Sequence, residues 1–237
     1  MDDERDTNVM KLVLFDIDGT LLSSGMAGSD AMTLAFAELF QIDHAFRGIR
    51  MSGKTDPAIL REAMANHRLQ EAAHDLERFH EHYVTHLRRT LQEPERPRRL
   101  MPGIPHVLEV LQTHSDLLLG LLTGNTVMGA QLKLESFGLW HYFRLGAYGS
   151  DSGDRNALVP IAQERARALV SRSIPAERVF VVGDTPRDIA CAHAHGARAV
   201  AVATGSYELA ELQQHRPEYC LADLGDIEAV VRVFADP

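Results

Sequence analysis

A short apolar run that empties into two acids constrains this chain more than any other stretch. Leu12-Val13-Leu14 leads into Phe15-Asp16-Ile17-Asp18-Gly19-Thr20. A Leu/Val-rich run closed by Asp and Gly reads as a buried parallel strand that opens into a turn, and in such sheets ligands bind beyond the carboxyl ends of the strands. Side chains alternate along an extended segment, so Asp16 and Asp18 share one side while Ile17 turns into the core. Two carboxylates this close repel each other, which calls for a bound cation, a shared proton or both. Gly19 allows the chain to turn sharply straight afterwards.

The same sequence of strand and polar turn recurs. Leu117 to Leu122 ends in Thr123-Gly124-Asn125, and Val179-Phe180-Val181-Val182 ends in Gly183-Asp184-Thr185-Pro186, whose proline suits a first helical turn. Further strands are expected at 143–147, at Arg198 to Val202 and near Tyr219. Helices are expected around Val107, Leu108 and Leu111, near 128–136, over roughly 156–171 and at 226–234. Strand alternating with helix argues for an α/β protein with a Rossmann-like, doubly wound parallel sheet. In that sheet the three polar strand ends lie on one edge and converge on a single ligand.

Residues 23–92 interrupt the alternation with helical spacing alone. Ala31, Leu34 and Ala35 fall on one face, followed by Leu39; Ile59, Leu60 and Ala63 suggest a second helix. A third covers Ala72 to Leu91, with Leu76, Phe79, Tyr83 and Leu87 three and four apart. The charged, proline-rich segment at 93–99 cannot continue a helix and reads as a connection or hinge. The expected organisation is a core of residues 8–22 and 97–237 with an all-helical insert at 23–96.

Composition narrows the function. With 45% hydrophobic and 24% charged residues in 237, the chain is an ordinary globular protein. A net charge of −9 argues against nucleic acid, whose phosphates demand a basic stripe. Cys191 and Cys220 stand apart from each other and from any ligand cluster, so reduced thiols in a cytoplasmic protein are expected, without zinc. The first ten residues are polar and acidic, unlike a signal peptide, and no apolar run is long enough to span a bilayer. A monomer or homodimer is expected, without nucleic-acid or membrane partners.

Acids without cysteine or histidine among them suit a hard cation held by oxygens, magnesium above all, and magnesium usually brings a phosphate. A carboxylate serves as nucleophile toward phosphorus, giving an aspartyl-phosphate that divides one hard step into two. A second acid then protonates the leaving oxygen and activates water.

At this point DIDGT after an apolar strand, Thr123 at the end of a second strand and GDTPRDI at a later one resemble the haloacid dehalogenase-like hydrolase superfamily. The helical insert resembles the cap of its phosphoglycolate-phosphatase-like group, and PGIPHVLEVL resembles the helix leading from cap to core. The resemblance implies Asp16 as nucleophile and magnesium ligand, and Asp18 as acid/base with its backbone carbonyl on the metal. It implies that Thr123 bonds the transferring phosphoryl group, Gly124 and Asn125 shape the phosphate pocket, Asp184 completes the metal site and Asp188 supports it. The superfamily's basic residue, usually a lysine followed by proline, has no such match here. Arg155 stands in its place, and Lys133, on a surface-like helix, is the rival. The implied activity is a magnesium-dependent phosphatase for a small phosphoglycolate-like metabolite. A mutase of the beta-phosphoglucomutase type is the nearest alternative, against which Thr20 speaks.

Two other patterns compete. Gly48 to Thr55 matches GxxxxGK[ST], but a P-loop must follow a buried strand and QIDHAFR is not one. A polar loop of the cap is expected there, with Arg50 and Lys54 meeting the far end of the substrate. His80, His82 and His86 read as a solvated helix flank with no fitting acid nearby.

Overall fold

A computed structural model describes residues 10–235. The acidic residues 1–9, and the expected core positions 8, 9, 236 and 237, lie outside the described residues.

Six parallel strands form the main sheet: β1 (Lys11–Phe15), β4 (Leu117–Thr123), β5 (Leu145–Tyr148), β6 (Val179–Gly183), β7 (Arg198–Val202) and β8 (Tyr219–Leu221). β2 (Leu22–Ser23) and β3 (Arg99–Leu100) pair antiparallel as a separate ribbon. The main sheet runs β5-β4-β1-β6-β7-β8. β1 pairs with both β4 and β6, Phe15 lying opposite Leu121 and Val182. The chain thus winds outward in one direction and then in the other, and the carboxyl end of β1 marks the switch point, where such sheets leave a crevice.

Alternation explains the layering. Val13 and Phe15 of β1, Leu119 and Leu121 of β4, and Phe180 and Val182 of β6 pack under α4 (His106–Leu111), α5 (Val127–Glu135) and α9 (Ile227–Ala235). Leu12, Leu14, Leu118, Leu122, Val179 and Val181 face the opposite layer of α6 (Leu158–Val170), α7 (Pro186–His193) and α8 (Leu209–Gln214). Strands buried on both faces read as continuous apolar runs, as these do. The strand expected at 143–147 starts two residues later, after a 3-10 turn at Trp140–Tyr142, with Arg144 N–H already donating to Leu119 O of β4 at 3.3 Å.

Between β2 and β3 lie α1 (Ala27–Phe40), α2 (Asp56–Asn66) and α3 (Ala73–Leu91), with an apolar core of their own. Met32, Phe36, Phe46, Met64, Phe79 and Tyr83 fill it. The buried stripe of α1 runs through Ala27, Ala31, Met32, Ala35 and Phe36, which puts Leu34 on its flank at 39% exposure, contrary to its expected place on the buried face. The proline-rich segment ends α3 as expected, and the ribbon of β2 and β3 ties the two chain crossings together.

Candidate active site

The molecule's large cavity, about 1010 Å³, opens where β1, β4 and β6 end beneath the helical insert. Asp16 continues β1, its N–H donating to Val182 O at 2.9 Å, and Ile17 is fully buried, so Asp16 and Asp18 do share one side. Gly19 has φ +88°, and a Cβ on it would lie 2.4 Å from Asp184 Oδ2. Only glycine satisfies both the turn and that approach.

On the β6 side, Asp184 is buried and accepts from Thr20 Oγ1 at 3.1 Å. Asp188 sits one turn into α7, where its Oδ2 accepts from Thr185 N at 3.0 Å and Thr185 Oγ1 at 2.7 Å in a capping box. Its other oxygen accepts from Arg155 Nη2 at 2.5 Å, and the same nitrogen lies 3.3 Å from Asp16 Oδ2. Arg155 is held in the 3-10 turn before α6, 7% exposed, so it is a buried cation clamped between two acids.

On the β4 side, Asn125 Nδ2 donates to Asp18 Oδ2 at 2.8 Å and to Thr123 Oγ1 at 2.9 Å. Lys133 Nζ donates to the same Asp18 oxygen at 2.6 Å and to Asn125 Oδ1 at 2.7 Å. Lys133 is 4% exposed, which corrects the expectation of a surface-like helix: α3 packs against α5 and covers it. The site therefore has two cations, Arg155 toward Asp16 and Lys133 toward Asp18.

Asp16, Asp184 and Asp188 bring carboxylate oxygens within 4.8 Å of one another. Burial raises the Asp16 pKa to about 6; Arg155 opposes the rise, and Asp188 and Asp18 add to it. Burial and the Asp188 and Asp16 charges raise Asp184 to about 8. An all-oxygen cluster of acids with one guanidinium to balance it fits a hard divalent cation.

The insert supplies the roof. The loop before α2 lies directly on the strand ends: Asp56 N donates to Gly124 O at 2.7 Å, Thr55 Oγ1 donates to Gly153 O at 2.7 Å, and Asp56 Oδ2 accepts from Thr126 N at 3.0 Å. Arg50 lines the cavity. Lys54 also lines it, but its ammonium is paired with Glu62. Residues 48–55 follow a turn, not a strand, so the P-loop reading fails. Asp56 and Tyr83 also line the cavity and were not singled out for it from the sequence. The Thr-Asp-Pro start of α2 is the local signal for Asp56, while Tyr83 shows in sequence only as one of the apolar positions spaced along a helix. Away from the cavity, Glu38 Oε2 lies 2.9 Å from His82 Nδ1 and 2.8 Å from His86 Nε2, which corrects the expectation that those histidines have no acid nearby.

A doubly wound sheet with aspartates clustered at its switch point, roofed by a helical insert, defines an α/β protein with a carboxylate-centred site. The sequence pattern of the haloacid dehalogenase-like hydrolases matches residues 13–202, and the chain belongs to that family. It is 31% identical over 206 residues to a phosphoglycolate phosphatase of Rhodospirillum rubrum, covering 82% of this chain and 80% of that protein. It is 27% identical over 215 residues to a phosphoglycolate phosphatase of Pseudomonas savastanoi pv. phaseolicola, covering 90% and 77%. The crystal structure of a hydrolase from Pseudomonas syringae superposes with a TM-score of 0.72 at 20% identity, over 96% of this chain and all of that one (100%). The protein is a phosphatase of this family. Among the described residues no helix is long and apolar enough to cross a membrane.

Proposed function

We propose that the protein is a magnesium-dependent phosphatase that hydrolyses a small, phosphoglycolate-like phosphate monoester through a phosphate ester on Asp16. In this reading residues 23–96 are a cap over a core of 8–22 and 97–237, and the protein works in the cytoplasm. The observation that carries it is the position of Asp16 at the switch point, with Arg155 Nη2 3.3 Å from its carboxylate and Asp18 two residues on, held by Lys133.

Asp16 attacks phosphorus while Thr123 and Asn125 orient the phosphoryl oxygens and Arg155 offsets their charge. Asp18, side chain 42% exposed and turned to the cavity, gives its proton to the leaving oxygen and then takes one from the water that splits the aspartyl-phosphate. Asp16 and Asp184, with the Asp18 carbonyl, would hold Mg2+, and Asp188 backs them by fixing Arg155 and the start of α7. Bound there, the ion would offset the repulsion between the anionic nucleophile and the anionic phosphate. Cap residues exclude water from the ester and meet the alcohol portion, Arg50 at its far end and Lys54 beside it.

A screen of phosphate monoesters with and without Mg2+ tests this reading. Turnover is expected only with the ion and only with Asp16 intact. Hydrolysis that persists in Asp16→Asn would sink the mechanism.

A further inference from the structure

Tyr83 stands on α3 with its ring stacked on Phe79, centroids 6.4 Å apart and planes 2° from parallel, inside the apolar core of the insert. It is 1% exposed, yet it stands among the residues that line the active-site cavity. Among the described residues that hydroxyl is one of two buried side-chain polar atoms without a hydrogen-bond partner, the other being Arg155 Nε. Buried polar groups are nearly always paired, and phenylalanine would fill the same space without an unmet donor.

The surroundings say what the hydroxyl faces. Burial, then the Asp56 and Asp18 charges, push its pKa well above the ordinary tyrosine value, so it stays a neutral donor. Lys133 Nζ spends one N–H on Asp18 and one on Asn125, and an ammonium has a third. Two glycines keep the space between these groups open. A Cβ on Gly28 would lie 3.1 Å from Lys133 Nζ and 3.8 Å from the Tyr83 hydroxyl, and one on Gly129 would lie 3.1 Å from that hydroxyl. Two unspent donors thus border one gap beside Asp18, the acid that serves the ester oxygen.

We propose that Tyr83 and Lys133 form a leaving-group subsite that takes an acceptor oxygen, carboxylate or hydroxyl, on the carbon bonded to the ester carbon. The substrate class is then the phosphate monoesters of 2-hydroxy acids and vicinal diols, as opposed to plain alkyl phosphates. This rests on the phosphatase reading above and adds to it the feature of the alcohol that is recognised.

The test uses the full chain with Mg2+ on 2-phosphoglycolate and glycerol 3-phosphate, each matched with an ester of the same length lacking the acceptor, ethyl and propyl phosphate. The wild type should favour the first pair. Tyr83→Phe should lower kcat/KM on the first pair about tenfold, leave the second within about twofold, and melt no lower than wild type because an unmet donor has gone. Equal losses on both pairs, no loss on either, a lower melting temperature in Tyr83→Phe, or no wild-type preference overturns the subsite. Turnover that depends on Asp16 but ignores Tyr83→Phe overturns the subsite alone. No turnover with Mg2+, or turnover that survives Asp16→Asn, overturns the phosphatase reading and the subsite with it.

Discussion

The Lys133 ammonium lies 2.6 Å from Asp18 Oδ2, with the lysine side chain 5% exposed and the aspartate 42%. The cation is buried and the acid half-exposed, so the lysine, with Asn125, sets where the acid points. Lys133→Met keeps the buried stem and removes the charge. It should lower kcat/KM about a hundredfold, the usual scale for general acid/base work, and destabilise the fold by only about 1–2 kcal/mol through the lost Asn125 bond. Steady-state kinetics beside a thermal melt checks both. Unchanged kcat/KM would remove Lys133 from the active site.

Arg155 differs because both of its acid partners are buried. Arg155→Ala leaves Asp16 and Asp188 facing each other without a cation, and breaking a buried pair in this way costs about 3–5 kcal/mol. Urea unfolding should show that loss. Arg155→Lys should recover part of it, since an ammonium is a point charge that cannot bridge both carboxylates as a planar fork does.

A cation bound by Asp16 and Asp184 should stabilise the folded state alone. Mg2+ at about a hundred times its dissociation constant should add about 2.7 kcal/mol, visible as a rise in melting temperature. Asp184→Asn should abolish that rise, while its metal-free form melts no lower than metal-free wild type because one of three crowded acids is neutral. A melting temperature indifferent to Mg2+ would remove the metal from this cluster.

What could be read in advance follows the range of the interactions. β1, β4 and β6 are apolar runs that stop at polar turns, so the strand-end positions of Asp16, Thr123 and Asp184 are visible within a few residues of sequence. The burial of Lys133 was not, because its neighbours on α5 give no sign that α3 lies over them. Asp56 and Tyr83 reach the cavity only through the fold of the insert onto the core. The ribbon of β2 and β3 is two residues long on each side, too short for any period to show. Glu38 meets His82 and His86 across 44 and 48 positions of sequence, which helical periodicity does not span.

At Gly124 the helical insert lies directly against the end of β4. A Cβ there would lie 2.1 Å from Lys54 O and 3.0 Å from Thr55 Cα, so Gly124→Ala must push the 53–56 loop away and lose the Asp56 N–H bond to Gly124 O. The core sheet is untouched. kcat/KM should fall about a hundredfold, the cost of an ångström-scale misplacement, with little change in unfolding free energy. Faster proteolysis in the 93–99 connection should accompany it, and wild-type kinetics would refute the close contact.

Asp56 gives a pH signature separable from the chemistry. Burial lifts its pKa to about 6; Lys133 and the Thr126 N–H bond pull it down, and Asp18 and Asp16 add a smaller upward push. An acid whose pKa is higher folded than unfolded binds its proton more tightly in the native state. Its contribution to stability is therefore full below the unfolded value near 3.8 and is lost as pH rises through about 6. Asp56→Asn keeps an oxygen for the Thr126 N–H and cannot ionise. In metal-free protein it should be more stable than wild type at pH 7.5 by about 1–2 kcal/mol, held to that range because the side chain is partly exposed. The gain should shrink toward zero by about pH 4, where the wild-type carboxyl is protonated in the native protein and half so in the unfolded chain. Denaturant titrations of both proteins across that range decide it, and a gain that does not vary with pH would mean that Asp56 titrates as an ordinary surface acid.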